Sequence, residues 1–208
     1  MKTRCKIKIL TIALSLIFLC FQGPAYAQSL SFHVHGGMAL PQEENIESGF
    51  ETGFGFSYSI DRKISLTLDF SYWRSDVSED HPDFYDGELS VTPFLVSLQY
   101  SLLEKAAVIP YIFAGTGFVF SRFEIGDIIT IPEISINQKV ENGISFYCGA
   151  GGRIKFMSNL ALITEIIYLY REAKGETTIT DMNLGVSKEE FSIDMSSLVL
   201  RVGIKYFI

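Results

Sequence analysis

The sequence predicts an all-β protein, an eight-stranded antiparallel up-and-down transmembrane β-barrel, and three observations carry that expectation. Eight segments alternate apolar and polar side chains with a period of two, as extended strands require. The connections between them are short and long in turn. The chain ends inside its last strand, where Leu198, Leu200, Val202, Ile204, Tyr206 and Ile208 share one face against Arg201, Gly203 and Lys205 on the other. A strand with an unbroken apolar face and cations behind it suits a wall between lipid and a polar interior.

The N-terminus reads as a secretory signal. Lys2, Arg4, Lys6 and Lys8 precede an apolar run from Ile9 to Phe21, and Ala25-Tyr26-Ala27 follows. That run has thirteen residues, short of the roughly 17 to 25 that a spanning helix needs. Residues 1–27 are therefore expected to be a signal peptide and residues 28–208 a single barrel domain. Losing the four cations of the signal, which holds no acid, takes the formal charge from −7 to −11, so nucleic acid is excluded as a partner. Cys5 and Cys20 leave with the signal, and Cys148 alone can form no intramolecular disulfide. In the remainder, the charge-free stretch Ala106–Ser121 is sixteen residues long and broken by Pro110, Gly115 and Gly117, which does not suit a membrane helix.

Each strand follows from its faces. The first sets Leu30, Phe32, Val34, Met38 and Leu40 against Ser31, His33, His35, Gly37 and Ala39. The second sets Phe50, Phe54, Phe56, Tyr58 and Ile60 against Glu51, Gly53, Gly55, Ser57 and Ser59. Beyond an Asp61-Arg62-Lys63 turn, the third sets Ile64, Leu66, Leu68, Phe70 and Tyr72 against Ser65, Thr67, Asp69, Ser71 and Trp73. The fourth carries Phe94, Val96, Leu98, Tyr100 and Leu102 opposite Ser97, Gln99 and Ser101. In the fifth, Ile112, Ala114, Thr116, Phe118 and Phe120 oppose Tyr111, Phe113, Gly115, Gly117 and Val119, so both faces are partly apolar. The sixth alternates Phe146, Cys148, Ala150, Ile154 and Phe156 with Tyr147, Gly149, Gly151, Arg153 and Lys155, and the seventh places Leu160, Leu162, Ile166, Tyr168 and Tyr170 opposite Ala161, Ile163, Glu165 and Arg171.

Connections after the second, fourth and sixth strands are short (61–63, 103–108, 157–159), and those after the first, third, fifth and seventh are long (41–49, 75–88, 121–142, 172–194). Short periplasmic turns and long external loops have this order in outer-membrane barrels, which puts both termini in the periplasm. Tyr58, Tyr100, Phe156 and Tyr206 would form one interfacial girdle, and Phe50, Tyr72, Phe94, Phe120, Phe146 and Tyr170 the other.

A soluble lipocalin-type barrel would invert these faces. The glycines on the polar face, the aromatic outer face and the terminal strand argue for lipid outside. Glu51, Asp69, Gln99, Arg153, Lys155, Glu165, Arg171, Arg201 and Lys205 then face the lumen. An eight-stranded interior is just wide enough to be filled by side chains. The candidate site is thus a luminal polar network of Glu51, Asp69, Gln99, Arg153, Glu165 and Arg201, with Asp69, Glu165, Arg153 and Arg201 forming a salt-bridged plug.

Thr92-Pro93, Leu98-Gln99-Tyr100 and Pro110-Tyr111-Ile112-Phe113-Ala114-Gly115-Thr116-Gly117 resemble a strand, short turn and strand of small porin-family outer-membrane barrels of the OmpW and OmpX-like type. The Leu200–Ile208 end resembles the signal that the barrel-assembly machinery reads, with Tyr206 third from the end. Phe113 stands where that pattern has a small residue, and Ile208 where it has a terminal Phe. The resemblance implies the bacterial outer membrane, with its lipid and the assembly machinery as partners. It implies a narrow channel or conduit for small or hydrophobic molecules, with a small hydrophobic ligand. The alternative is a structural or adhesin-like barrel that meets a surface partner through its external loops.

Little points to catalysis, a cofactor or a metal. His33 and His35 lie about 7 Å apart by strand rise, without a Ser-His-acid order or a further histidine pair, and read as structural luminal residues; His81 falls in a loop. The acidic stretch Asp76–Glu88 lacks EF-hand spacing and reads as a solvated loop. The isoleucines at 125, 128, 129, 131, 134 and 136 read as strands five and six continuing beyond the membrane.

Overall fold

The computed structural model describes residues 29–44, 46–77, 87–104, 106–125, 134–181 and 185–208. Eleven strands occur in the order β1 (Leu30–Pro41), β2 (Gly49–Ser59), β3 (Ile64–Val77), β4 (Gly87–Ser101), β5 (Val108–Ile125), β6 (Ile134–Val140), β7 (Gly143–Lys155), β8 (Leu160–Tyr170), β9 (Glu172–Asp181), β10 (Gly185–Asp194) and β11 (Ser197–Phe207). Eight of them close an antiparallel barrel in the order β1-β11-β8-β7-β5-β4-β3-β2. The seam is β1 against β11, paired from Ser31↔Phe207 to Pro41↔Ser197. Backbone bonds from Ile208 N to Leu30 O and from Gln42 N to Ser196 O, each 2.9 Å, continue it at both ends.

Closure sets the shape. One inward register line runs Tyr111, Gly151, Glu165, Arg201, Gly37, Glu51, Trp73, Val91 and back to β5 at Ser121, ten residues from its start. With eight strands, that offset tilts the strands by about 40° and gives a radius of about 8 Å at ordinary strand spacing. Such a cylinder is filled by its own side chains.

The alternation assigned from sequence holds on all eight barrel strands. Leu98 is 56% exposed and Gln99 6%. Phe50, Phe120, Phe146 and Tyr170 are exposed on the outer face, as are Tyr100, Phe156 and Tyr206 towards the other end. On the β2–β5 wall, Phe54, Phe70 and Phe94 stack in succession, with ring centroids 5.3 and 4.5 Å apart. The β2–β3 turn is tied by Asp61 Oδ1, which accepts from Lys63 N at 2.6 Å and Ile64 N at 2.7 Å. Those two donors hold the Asp61 carboxyl below its ordinary range.

Two long connections differ from their expected form. Loops or strand extensions are expected over residues 121–142 and 172–194; β5 does continue to Ile125, but β6, β9 and β10 form a separate sheet in the order β10-β9-β6 outside the barrel. Ile136, Gln138 and Val140 alternate with Asn137 and Lys139, a period of two with only one strongly apolar position per pair, which pairing with β9 completes. Ile128, Ile129 and Ile131, His81, most of the acidic loop and the signal segment lie outside the described residues.

Arg171, expected on the inner face, is buried there beside Ser121 at the end of the barrel and joins this sheet to the barrel wall. It is 2% exposed, and Nη1 donates to Ser121 Oγ at 2.7 Å while Nη2 donates to the Glu141 carbonyl. Its own backbone N donates to Ser196 Oγ at 3.2 Å and its carbonyl accepts from Met195 N at 2.9 Å. Lys155, also expected in the lumen, is exposed at the rim, with Nζ 4.8 Å from the Phe207 ring centroid.

Leu98→Arg should impair insertion by about 2–4 kcal/mol and Gln99→Arg far less, read as folding efficiency into lipid vesicles; equal losses would contradict the facing. Arg171→Ala should speed amide exchange in 134–140 and 172–194 and leave β1–β4 unchanged, measured by hydrogen exchange with mass spectrometry.

Candidate functional site in the barrel lumen

The lumen has two storeys, and the division runs between adjacent register lines. One line carries Tyr111, Glu165, Arg201 and Glu51; the next, towards the external side, carries Phe113, Ile167, Val199 and Ala39. The external storey is continuous with a buried apolar cluster that includes Leu95, Phe113, Val119, Tyr147, Ile167 and Val199 and reaches Val140, Ala173 and Ile193 of the external sheet. The sequence already showed apolar residues on the inner face of β5; the structure gathers them into one layer.

The polar storey depends on glycines. Neighbouring strands lie about 4.8 Å apart, so a side chain reaches two strands away only where the strand between carries no Cβ in its path. His33 on β1 pairs with Gly55 on β2, which pairs with Asp69 on β3, and His33 Nε2 lies 2.8 Å from Asp69 Oδ1. A Cβ on Gly55 would come within 2.5 Å of the His33 ring. Tyr111 crosses Gly151 in the same manner, and its hydroxyl donates to Glu165 Oε1 at 2.8 Å. Arg201 crosses Gly37, its Nε donating to Glu51 Oε1 at 2.9 Å.

Arg201 is the hub. Its Nη2 donates to Ser71 Oγ at 3.0 Å, and its Nη1 lies 3.8 Å from Asp69 Oδ1 and 3.7 Å from Glu165 Oε2. Three carboxylates therefore converge on one guanidinium that is 6% exposed. His35 Nε2 lies 3.2 Å from Glu51 Oε1, and Lys205 Nζ donates to Ser57 Oγ at 2.8 Å. In so dry a place, ion pairs offset their own desolvation only when the remaining lone pairs and protons are also satisfied.

Of the six residues expected to form the network, Glu51, Asp69, Glu165 and Arg201 come together. Gln99 is buried beside them and lines a small cavity with His33, Tyr111, Arg153, Glu165 and Lys205. Arg153 stands apart from the ion pairs. It lies two residues beyond Gly151 on β7, which carries its guanidinium to 5.6 Å from the Phe207 ring. Sequence reasoning did not assign His33, His35, Tyr111 or Lys205 to the network. The available signal was the pairing of His-x-His on β1 with Gly-x-Gly on β2, legible only once the register is known. The cavity among these groups measures about 10 Å³, room for about one water.

The wall has one interruption. Pairing between β3 and β4 passes from Phe70↔Phe94 to Trp73↔Val91, skipping two positions where Pro93 can donate no backbone hydrogen bond. Beside it the lipid-facing wall carries an apolar hollow of about 570 Å³ bordered by Phe32, Phe54, Phe70, Tyr72 and Thr92.

Gly55→Ala should drive His33 off Asp69 and cost about 1–3 kcal/mol, the penalty of buried polar groups left unpaired. Gly36→Ala, whose Cβ would meet nothing nearer than 3.5 Å, should stay within about 0.5 kcal/mol of wild type. Urea titration of the refolded barrel followed by Trp73 fluorescence measures both.

Neither protein-family models nor curated proteins match the chain. Among solved structures, the outer membrane protein OprG of Pseudomonas aeruginosa superposes with a TM-score of 0.69 at 17% identity, over 88% of this chain and 98% of that one. E. coli outer membrane protein W gives a TM-score of 0.55 at 13% identity, over 88% and 100%. Neisserial surface protein A gives 0.54 at 15% identity, over 86% and 96%. With its apolar outer wall and polar, ion-paired interior, the chain is a transmembrane β-barrel with the architecture of the small eight-stranded outer-membrane proteins of the OmpW and OmpX-like type.

Proposed function

We propose that this barrel is a narrow conduit that moves small hydrophobic molecules from the external side into the membrane and does not conduct ions. The observation that carries this reading is the break in the β3–β4 ladder at Pro93, which lies between the apolar storey of the lumen and the apolar hollow on the lipid side. An apolar molecule entering from outside meets Phe113, Val119 and Leu95 and stops above the ion-paired belt. Passing the belt would strip charged groups of their partners, which costs several kcal/mol. Leaving sideways at Pro93 opens a stretch of wall where the ladder is already incomplete.

The experiment compares wild type with Pro93→Val, which restores a backbone donor in the β3–β4 ladder. Vesicles holding the refolded wild-type barrel should take up an apolar fluorescent probe faster than empty vesicles, and Pro93→Val should cut the gain about tenfold. Planar bilayers should show no stepwise ion current for either. Equal uptake by both proteins sinks the lateral route, and stepwise current in wild type sinks the sealed belt.

A surface-interaction barrel is the second reading, favoured by the external sheet. Strand β10 is its edge, and residues 185–190 are exposed along their whole length. An edge of that kind offers unpaired backbone groups to another strand. Deleting 172–194 should abolish surface binding under this reading and leave probe uptake intact.

A further inference from the structure

We propose that His33, His35 and Asp69 form a binding site for a divalent transition-metal ion inside the barrel, with the imidazole Nε2 atoms and the Asp69 carboxylate as ligands. One ligand atom from each of the three residues lies within 4.8 Å of the others. A tetrahedral ion with bonds of 2.0–2.1 Å sets its ligands roughly 3.3 Å apart, so ring and carboxylate shifts of about an ångström assemble the site. All three residues are more than nine-tenths buried.

The independent sign of a missing ligand is the state of the imidazoles. His35 Nε2 and Nδ1 and His33 Nδ1 are buried with no hydrogen-bond partner among the described residues, an arrangement that costs free energy unless something else occupies it. His35 Nε2 lies 3.2 Å from Glu51 Oε1, the carboxylate oxygen that also accepts from Arg201 Nε. A neutral imidazole with its proton on Nδ1 presents the Nε2 lone pair to an ion.

Glu51, Asp69 and Glu165 lie within 3.8 Å of Arg201, and Lys205, in register with His33, and Arg153, which lines the small cavity with Glu165, bring the formal charge of these groups to zero, so donor chemistry selects the occupant. Two nitrogens and one oxygen suit zinc, nickel or copper better than calcium or magnesium. The glycines at 53 and 55 are part of the site, since a Cβ at either would overlap the ring of His35 or His33. This site is independent of the conduit reading and stands or falls without it.

The test uses the full-length barrel, refolded in detergent, stripped with chelator and titrated with Zn²⁺ alone against a chromophoric competitor. Heat-modifiable gel migration verifies the fold of every variant. Wild type should bind one ion per barrel, and zinc-edge absorption should report two imidazole nitrogens and one carboxylate oxygen. His35→Gln and Asp69→Asn should each weaken binding by about tenfold or more, His35→Cys should retain it through a thiolate ligand, and His81→Gln should leave it unchanged. Absence of stoichiometric binding by folded wild type, or undiminished binding by folded His35→Gln, overturns the site; loss of binding in His81→Gln would move the ion to a surface loop and overturn it equally.

Discussion

The rest of the lumen depends on Arg201. It sits on the strand that closes the barrel, crosses Gly37 to reach Glu51, and stands in register with Glu165 on its other side. Its removal would leave three carboxylates together in a dry interior, the least tolerable arrangement of charge in a protein. The seam between the first and last strands is therefore fastened inside as well as along its backbone.

Glycine turns that local pairing into a belt around the barrel. In an ordinary sheet, a side chain meets its direct and diagonal neighbours. Here His33, Tyr111 and Arg201 each lie across a glycine and find an acid two strands away. Three such crossings link β1, β2, β3, β5, β7, β8 and β11, and each acid also lies within 3.8 Å of Arg201. Arg201, Tyr111, His33 and Lys205 are each bonded at their far ends. About 10 Å³ remains among the groups, room for about one water.

The storey above follows the opposite logic. One register line further out, the same strands carry Phe113, Ile167, Val199 and Ala39, and that layer runs on beneath the external sheet held by Arg171. A membrane barrel already satisfies the hydrophobic effect on its outer face, so an apolar interior layer adds a second, water-excluding compartment. Among the described residues, its thinly bonded wall is the stretch around Pro93. The ion-paired belt below, the apolar lining above and the interrupted ladder beside lipid are the features on which the proposed route for an apolar molecule rests.

The number and direction of the barrel strands, the facing along them and the order of short and long connections were legible in the chain, because lipid outside and polar groups inside force a period of two on every spanning strand. Glu51, Asp69, Glu165 and Arg201 could be placed in the lumen for the same reason, and the OmpW and OmpX-like resemblance agreed. Register could not be read, because sliding one strand by two residues preserves every facing while changing every neighbour. For that reason the partners of His33, His35 and Tyr111, the exclusion of Arg153 from the ion pairs, and the sharp boundary between polar and apolar storeys waited for the closed barrel. The external sheet waited too: β6, β9 and β10 have weak alternation, and although β10 pairs with β9 as a hairpin, β6 reaches β9 across 35 or more residues of chain. Composition along each strand decides which medium each face meets; only the offset of ten residues around the cylinder decides which inward groups touch.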